Sequence, residues 1–479
     1  MKGNDSVTIT NATTTLIATQ GDCIKTTNSD ISTTNATQRG AVTIAGGVHN
    51  LYSACDGIDS SYNVIINDEA TELNIYTDKY SSYSKEITAV TEDTYYIRYS
   101  SQAYSYSIKY FNSDTDYLWV NAEYSTSVSG GMRTYYYYKA PKKADYSSFI
   151  IYMYSSSQAQ GQDESYYVCT ESLSHNSSYD TIALSSRQGS ISSSWTNYST
   201  TSSSSGMGGM NEGNSDKGTY STKGIKASNE IIINAGTIKI QAYDDAIHAN
   251  NDVALENGET PLGNVTINGG NITVSSNDDG IHADGTLLVT NGGVSVTGSY
   301  EGLEGGIIDI QGGSISVVSS DDGLNGANTS GNSIKISGGT LYIYCTGDGI
   351  DSNSTTSYGG IIFSGGDTVV ICNSNGNSAI DTERGYTHSG GRVVAIMTTG
   401  GMTSESSNGS TNEMTTKSSL SLSSGSYLTV SAGGSSVATI KMPCSMSSYV
   451  VYLGSSSATI ASSSSNSGTL DANGVWWNN

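Results

Sequence analysis

Acidic residues recur at fixed positions within a short phrase that is repeated along the 479-residue sequence. The phrase consists of two polar or acidic residues, a small residue, Ile or Leu, a polar residue and a small residue. Its copies are GDCIKT (21–26), CDGIDS (55–60), TKGIKA (222–227), DDAIHA (244–249), DDGIHA (278–283), YEGLEG (300–305), DDGLNG (321–326), GDGIDS (347–352) and NSAIDT (377–382). Because Ca²⁺ takes about six to eight oxygen ligands in flexible geometry, regularly spaced carboxylates predict calcium sites.

The spacing of the phrase indicates how these acids are held. From Ile225 onward, the Ile/Leu positions are separated by 22, 34, 22, 21, 26 and 30 residues. A unit of about 22 residues is too short for a propeller blade and shows no helical stripe, but it suits one turn of a parallel β-helix. A second phrase, Gly-Gly before an alternating strand, occurs between the copies, as in INGGNITV (267–274). We predict a right-handed parallel β-helix, with Ile272 and Val274 inside and Thr273 outside.

Stacked coils would place equivalent residues in columns, two of which are largely acidic. Position −2 relative to the Ile/Leu carries Asp22, Asp56, Lys223, Asp245, Asp279, Glu301, Asp322 and Asp348. Position +1 carries Lys25, Asp59, Lys226, His248, His282, Glu304, Asn325, Asp351 and Asp381. Carboxylates about 5 Å apart repel by roughly 3 kcal/mol at an effective dielectric of about 20, so protons or cations must intervene. Alternatively, the aspartates only form turns, and the two histidines are a structural stack or contact sugar.

A long insertion interrupts the repeat, because 167 residues separate Ile58 from Ile225. Much of it is rich in Tyr and contains separate alternating strands such as DTYYIRYS and YSYSIKYF, a pattern typical of an antiparallel β-sandwich. The later strands SYLTVSA, SVATIKM and SYVVYLG predict a small β cap on the last coil. The predicted organisation is N-terminal β-helix coils (1–79), an inserted β-sandwich (80–200), a Ser/Gly-rich loop (201–217), the main β-helix (218–400) and a C-terminal β cap (401–479).

The composition favours an all-β extracellular protein. Lys and Arg number 21 against 44 Asp and Glu, a net charge of −23 that excludes the basic surface of a nucleic-acid binder. No apolar run is long enough for a membrane span. The polar start at Met1 leads us to expect that a native secretion signal has been removed or trimmed. Cys345 and Cys372 each follow a Gly-Gly pair by six residues, which predicts stacked thiols, or alternatively a disulfide.

The two phrases resemble, in the same order, those of a family of clostridial secreted carbohydrate-binding proteins. The resemblance rests on GMGGMNEGNSDKGTYSTKGIKASNEIIINAGTIKI running into DDAIHAN and DDGIHAD, and it covers about 218–400 closely. It implies a calcium-bearing, pectate-lyase-like β-helix that binds cellulose and acidic sugars such as polygalacturonate. The calcium ligands that it implies are Asp244, Asp245, Asp278, Asp279, Asp284, Glu301, Asp321, Asp322, Asp348 and Asp351.

The insertion resembles a starch-binding type of β-sandwich module, through YYIRYS, YLWVNAEY, GGMRTYYYY and SSFIIYMYSSSQAQGQDE. In such modules exposed aromatic faces stack on sugar rings, and a nearby Gln or Asp binds hydroxyl groups. The sugar-binding residues that this resemblance implies are Tyr99, Tyr104, Tyr106, Trp119, Tyr124 and Gln160. Each of them has an alternative role in the core or in cross-strand pairing.

Three functions fit these patterns. The first is a secreted or cell-surface, monomeric, non-catalytic protein that binds plant cell-wall polysaccharide through calcium, with the insertion adding a site for neutral glucan. The second is a calcium-dependent lyase, in which the ion neutralises a uronate carboxylate and a lysine is the base; Lys226 is the candidate, ahead of Lys25 and Arg384. The third is a structural or adhesive surface protein. Whether the protein is an enzyme stays open at this point.

Overall fold

The fold was analysed on a computed structural model of the chain. It describes residues 1–77, 94–99, 104–113, 116–130, 133–143, 146–155, 166–175, 181–184, 193–196, 221–466 and 468–478. By internal contacts the chain divides into two compact units. Unit 1 comprises Met1–Ser82 and Gly213–Asn479, and unit 2 comprises Tyr83–Glu212.

Most of unit 1 is one 26-stranded sheet in which almost every pairing is parallel. Its strands are β1 (Lys2–Gly3), β2 (Ser6–Ala18), β3 (Ile24–Thr26), β4 (Ala41–Ser53), β5 (Ile58–Ser60), β6 (Asn63–Ile66), β7 (Thr71–Thr77), β17 (Ile225–Ala227), β18 (Glu230–Ile233), β19 (Thr237–Gln241), β20 (Ile247–Ala249), β21 (Asn264–Ile267), β22 (Asn271–Ser275), β23 (Ile281–Val289), β24 (Gly293–Val296), β25 (Leu303–Ile310), β26 (Ser314–Val318), β27 (Leu324–Gly326), β28 (Ile334–Cys345), β29 (Ile350–Ser352), β30 (Ile361–Cys372), β31 (Asp381–Thr382), β32 (Tyr386–Thr398), β33 (Gly409–Ser410), β34 (Met414–Leu422) and β37 (Met446–Leu453).

Most strands of this sheet pair with the equivalent strands one repeat earlier and one repeat later. β19, for example, pairs in parallel with β7 and with β22. We call the chain segment from one copy of the acidic phrase to the next a coil. Since a coil cannot bury its own apolar row, it depends on its neighbours, and the sheet is solenoid-like. The pairing also crosses the insertion, because β5 before it lies beside β17 after it.

The core lies inside the stacked coils and follows the alternation of the strands. Ile272 and Val274 are buried and Thr273 is exposed, which confirms the orientation predicted from INGGNITV. The second glycine of that phrase, Gly270, has φ +87°, a conformation that L side chains rarely adopt. Cys345 and Cys372 are paired in register, buried and not bonded to each other, as the stacked-thiol prediction expected.

Unit 2 contains a nine-stranded, mainly antiparallel sheet. Its strands are β8 (Thr94–Tyr99), β9 (Tyr104–Phe111), β10 (Tyr117–Gly130), β11 (Arg133–Pro141), β12 (Ser148–Ser155), β13 (Tyr166–Val168), β14 (Leu173–Ser174), β15 (Thr181–Leu184) and β16 (Ser193–Thr196). One face packs into an aromatic-rich core that includes Tyr95, Tyr110 and Phe149.

The last part of unit 1 is antiparallel. β37 pairs with β32 of the last coil and with β34. A separate four-stranded sheet consists of β35 (Tyr427–Ala432), β36 (Ser435–Lys441), β38 (Thr459–Ser463) and β39 (Val475–Trp477). In the described part of the chain, α-helix is confined to α1 (Thr403–Ser406). The protein is therefore all-β with almost no helix, as the composition predicted.

Candidate functional site

The copies of the acidic phrase are aligned in one column. Ile225 pairs with Ile58 on one side and with Ile247 on the other. The same register continues through Ile281, Leu303, Leu324 and Ile350, and Asp351 pairs with Asp381. These Ile/Leu side chains are fully buried. Positions −2 and +1 therefore form the two columns that the repeat predicted.

At several coils a carboxylate at position −2 accepts a backbone N–H of the next coil. Asp22 Oδ1 accepts the N–H of Asp56 at 3.0 Å, and Asp322 Oδ1 accepts that of Asp348 at 2.6 Å. Asp245 Oδ1 accepts the N–H of Asp279 at 3.2 Å. The turn-forming role is thus present in these three residues, where it uses Oδ1. Their Oδ2 atoms can face a cationic group.

In the first coils that second oxygen meets a lysine. Lys25 Nζ lies 2.9 Å from Asp22 Oδ2 and also contacts Asp59. Lys223 takes a position −2 itself, and its Nζ lies 2.5 Å from Asp245 and 3.1 Å from Asp244. Burial alone would lower the pKa of Lys223, but these two carboxylates raise it above its usual range. The lysine ammonium groups therefore neutralise this part of the column.

Lys226, the candidate lyase base, lies at position +1 between Asp59 and His248. No carboxylate of the described residues lies within 4 Å of its ammonium group. Burial raises the pKa of Asp56 to about 6, and the nearby positive charge of Lys226 opposes that shift.

The two histidines are stacked, as one reading of the repeat expected. The rings of His248 and His282 are 4.2 Å apart between centroids and 4° from parallel. Their Nε2 atoms lie 3.0 Å and 3.3 Å from Asp284 Oδ1. Around them, ligand atoms of Asp245 and the two histidines lie within 4.8 Å of one another, and so do those of Asp279, His282 and Glu304.

Beyond the histidines the two columns contain no basic residue and, apart from Asn325, consist of acidic residues up to Asp351. We call Glu301, Glu304, Asp321, Asp322, Asp348, Asp351 and Asp381 the acidic segment. Burial, then the negative charges of Asp351, Asp321 and Asp348, raise the pKa of Asp322 to about 9. Burial and the charge of Asp381 raise the pKa of Asp351 to about 8. Burial also raises the pKa of Glu301 and of Asp348 to about 7.

No basic side chain forms an ion pair with Glu301, Asp322, Asp348 or Asp351 within the part of the chain that the structure describes. Asn325 Nδ2 donates to Glu301 Oε2 at 2.9 Å. In the first coils the second carboxylate oxygen contacts a lysine. In the acidic segment the corresponding oxygens face only neutral or negative groups of the described residues. The donor set is entirely oxygen, which suits a hard divalent cation such as calcium.

The ten residues predicted as calcium ligands are thus brought to one side of the coils but have different surroundings. Asp244, Asp245 and Asp278 form a close group, and Lys223 neutralises two of its members. Asp279 and Asp284 contact the histidines. Glu301, Asp321, Asp322, Asp348 and Asp351 belong to the acidic segment.

The candidate sugar-binding residues of unit 2 are divided between the two faces of its sheet. Tyr106 is 1 % exposed and Tyr99 9 % exposed, so both belong to the core. Tyr124 is 48 % exposed. Of Tyr104 only the backbone is described, and Gln160 lies outside the described residues. Burial thus removes Tyr99 and Tyr106 as stacking surfaces, because their alternation along the strand turns them inward.

Trp119, a candidate from the sequence, has neighbours that the sequence did not predict. Its ring centroid is 4.7 Å from that of Tyr152. Lys109 Nζ lies 4.4 Å from the Tyr117 ring centroid and 5.8 Å from that of Trp119. Tyr117 is 48 % exposed. We call Lys109, Tyr117, Trp119 and Tyr152 the aromatic platform. Sequence reasoning could not assemble it, because the register between strands decides which side chains are neighbours.

Sequence reasoning also missed the role of Lys223 and of Glu405. The sequence shows Lys223 as the basic residue in the otherwise acidic −2 column. That difference was the available signal that a lysine pairs with the neighbouring carboxylates. Glu405 belongs to α1, where no copy of the phrase occurs. Burial and then Asp381 raise its pKa, so it extends the acidic segment by one coil.

No helix long and apolar enough to cross a membrane occurs among the described residues. A sequence model of a family described as "carbohydrate-binding domain-containing protein" matches residues 1–135, 176–264 and 304–465, which is more than half of the chain. No curated protein and no solved structure matches the chain. The family supports a carbohydrate-binding role with a polysaccharide partner. The chain belongs to the family of carbohydrate-binding domain-containing proteins.

Proposed function

We propose that the protein is a secreted or cell-surface, non-catalytic protein that binds plant cell-wall polysaccharide in a calcium-dependent manner. The polysaccharide class is acidic and pectin-like, with cellulose as the alternative. In this proposal the solenoid-like sheet is a right-handed parallel β-helix of the pectate-lyase type. The position +1 column is the binding surface, since its side chains lie beside the buried Ile/Leu row and turn outward.

One observation carries the proposal: the half-buried carboxylates of Glu301, Asp322, Asp348 and Asp351 have no basic partner among the described residues. Buried charges are ordinarily paired or coordinate metals. The first coils show the pairing, because Lys223 stands at position −2 and neutralises Asp244 and Asp245. In the acidic segment no lysine replaces an acid, so the same neutralisation requires a bound cation. Calcium fits the all-oxygen donor set there.

The residues that would hold calcium are Glu301, Asp321, Asp322, Asp348 and Asp351. No three ligand atoms of these residues were found within 4.8 Å of one another in the described part of the chain. Carboxylate oxygens alone therefore do not close a coordination shell here, which leaves positions for other oxygens, such as those of water and sugar. When bound, calcium would supply the positive charge that lets an acidic protein retain an acidic polysaccharide.

Calorimetric titration of the purified protein with Ca²⁺ tests the ion. We expect the double substitution Asp322→Asn and Asp351→Asn to weaken calcium binding at least tenfold, because two of the ligand charges are lost. Asn at position 322 retains an oxygen for the N–H of Asp348, so the coil connection is kept. The control is Asp252→Asn, an exposed carboxylate outside the columns. Equal calcium binding by the double variant and the parent would reject the assignment.

A second carbohydrate site in unit 2 is favoured by the aromatic platform. Here the predicted antiparallel β-sandwich would present Tyr117 and Trp119 to a sugar ring, and Lys109 to its oxygens. This arrangement suits a neutral glucan such as starch, because aromatic faces stack on the apolar side of a sugar ring.

Substitution of Trp119 by Ala tests this second site. We expect it to weaken binding of soluble starch by about 1.5 kcal/mol, or roughly tenfold, as measured by affinity electrophoresis. Tyr124→Ala is the matched control, because Tyr124 is an exposed aromatic residue on the same strand but lies outside the platform. If Trp119→Ala and Tyr124→Ala have the same effect, the platform is not the site.

A further inference from the structure

The stacked histidines are fixed from one side by a single carboxylate. Asp284 Oδ1 lies 3.0 Å from His248 Nε2 and 3.3 Å from His282 Nε2. Its other oxygen accepts the backbone N–H of Asn251 at 2.8 Å. A carboxylate accepts N–H donors, so these contacts favour the tautomer with the proton on Nε2 in each ring. In a neutral imidazole the other nitrogen, Nδ1, is then an acceptor with its lone pair exposed.

The Nδ1 atom of His282 faces two further carboxylates. It lies 3.2 Å from Asp279 Oδ2 and 3.2 Å from Glu304 Oε2. The three ligand atoms all lie within 4.8 Å of one another. A lone pair directed at two carboxylate oxygens is repelled by both of them. The arrangement therefore requires a proton, on the ring or shared by the two carboxylates, or a metal ion at this point.

The number of charges around the two rings points to a metal ion. His248 is 8 % exposed, and its Nδ1 lies 2.8 Å from Asp245 Oδ2. With Asp279 and Glu304 at His282 and Asp284 at both rings, four carboxylates surround the pair. A proton on each ring would supply two positive charges only, and would place them face to face at 4.2 Å. A divalent ion would balance the negative charge that remains.

We propose that Asp279, His282 and Glu304 bind one divalent transition-metal ion of the zinc class, with Asp284 positioning the His282 ring. For metal–ligand bonds of about 2.1 Å, ligand atoms about 3.2 Å apart subtend an angle of about 100°, as coordination of zinc requires. The His–carboxylate contact on the far side of the ring is the usual support of a metal-binding histidine.

This site goes beyond the proposed calcium function and is distinct from it. Calcium takes oxygen ligands, whereas an imidazole nitrogen with two carboxylates suits zinc, cobalt or nickel. The side chains of His282 and Glu304 are 23 % and 21 % exposed, so solvent reaches the cluster from one side. The remaining coordination positions are open to water or to a ligand oxygen.

The experiment uses the full chain, stripped of metal with a chelator and transferred to metal-free buffer. Cobalt(II) is the first probe, because its visible absorption reports nitrogen coordination directly in the unmodified protein. Zinc is the second probe, by calorimetric titration and by competition with bound cobalt. We expect one cobalt or zinc ion per chain, and no displacement of it by a hundredfold excess of calcium.

Variants assign the ligands. We expect His282→Asn and Glu304→Gln to weaken zinc binding more than tenfold, and Asp284→Asn to weaken it about tenfold to a hundredfold through the ring orientation. Glu230→Gln, a carboxylate of the same sheet outside the cluster, should leave zinc binding unchanged. Circular dichroism identifies any variant that does not fold, and the cobalt spectrum of the parent protein stays decisive in that case.

The proposal is overturned if the parent protein shows no cobalt absorption band and no zinc heat, because the cluster then binds neither metal. It is also overturned if calcium displaces zinc, or if His282→Asn binds zinc like the parent. None of these results depends on polysaccharide binding, so failure of the zinc site and failure of the proposed function are distinguishable.

Discussion

At the scale of the residue, the difference between a lysine and an aspartate at position −2 explains the electrostatics of the whole column. Lys223 is 12 % exposed and pairs with Asp245, which is 2 % exposed, and with Asp244. A buried carboxylate that loses its partner is left with an uncompensated charge. In the acidic segment, carboxylates of several coils lack a basic partner, and we propose that bound calcium compensates their charge.

Substitution of Lys223 by Met tests that reasoning. We expect it to lower the free energy of unfolding by about 3 kcal/mol in chelator, because Asp244 and Asp245 lose their common partner. Added calcium should restore part of this loss, since those two carboxylates and Asp278 form a close group. Urea unfolding with chelator and with calcium measures both effects.

Lys239→Met is the matched control for this substitution, because Lys239 is exposed on β19. Its effect should remain within about 0.5 kcal/mol in both conditions. A loss of stability in the Lys223 variant that calcium does not reduce would contradict the equivalence of lysine and calcium in the column.

At the scale of the element, the small residue before each Ile/Leu is explained by the closeness of neighbouring coils. A Cβ atom added to Gly323 would lie 2.3 Å from Ile343 Cγ2 and 2.5 Å from the carbonyl oxygen of Gly349. The same position holds Ala246 in one coil and Gly302 in another. The phrase is therefore set by packing inside the coil as well as by the chemistry of its acids.

Substitution of Gly323 by Ala should lower the free energy of unfolding by about 1–3 kcal/mol, because overpacking moves side chains or backbone. Gly298→Ala is the control, since nothing lies within 4 Å of a Cβ atom at that position. Thermal unfolding of both variants, each with calcium present, measures the difference. Equal stability of the two variants would show that the coils adapt to an extra methyl group.

Much of the solenoid-like sheet could be predicted from the sequence, because short phrases repeated at regular intervals specify its strands. The alternation at Ile272, Thr273 and Val274 and the alignment of the Ile/Leu column both follow from the repeat. In unit 2 the pattern predicts strands but not their partners. Lys109 and Tyr152 lie on β9 and β12, so only the register brings them to Trp119 on β10.

At the scale of the whole molecule, one sheet combines coils in which lysines and aspartates are paired with coils whose columns are mainly acidic. The +1 column begins with Lys25, Asp59 and Lys226, passes through the two histidines, and continues as Glu304, Asn325, Asp351 and Asp381. The order of charges could be read from the sequence. Which charges neutralise one another could not, because residues of different coils are brought together only by stacking.

The net charge of −23 opposes the proposed binding of an acidic polysaccharide, because a negatively charged protein repels a polyanion. Retention of an acidic polysaccharide therefore requires bound cations, and loss of those cations should release it. A neutral glucan bound by the aromatic platform should instead be insensitive to chelator. The two proposed sites thus differ in whether chelator releases the bound polysaccharide.

The most direct measurement is retention of the full chain by immobilised polygalacturonate, first with calcium, then with chelator, and again after calcium is restored. We predict retention with calcium, release by chelator, recovery with calcium, and weakened retention of the Asp322→Asn and Asp351→Asn variant relative to Asp252→Asn. Retention that is the same with chelator as with calcium would contradict the account, and so would absence of retention under every condition.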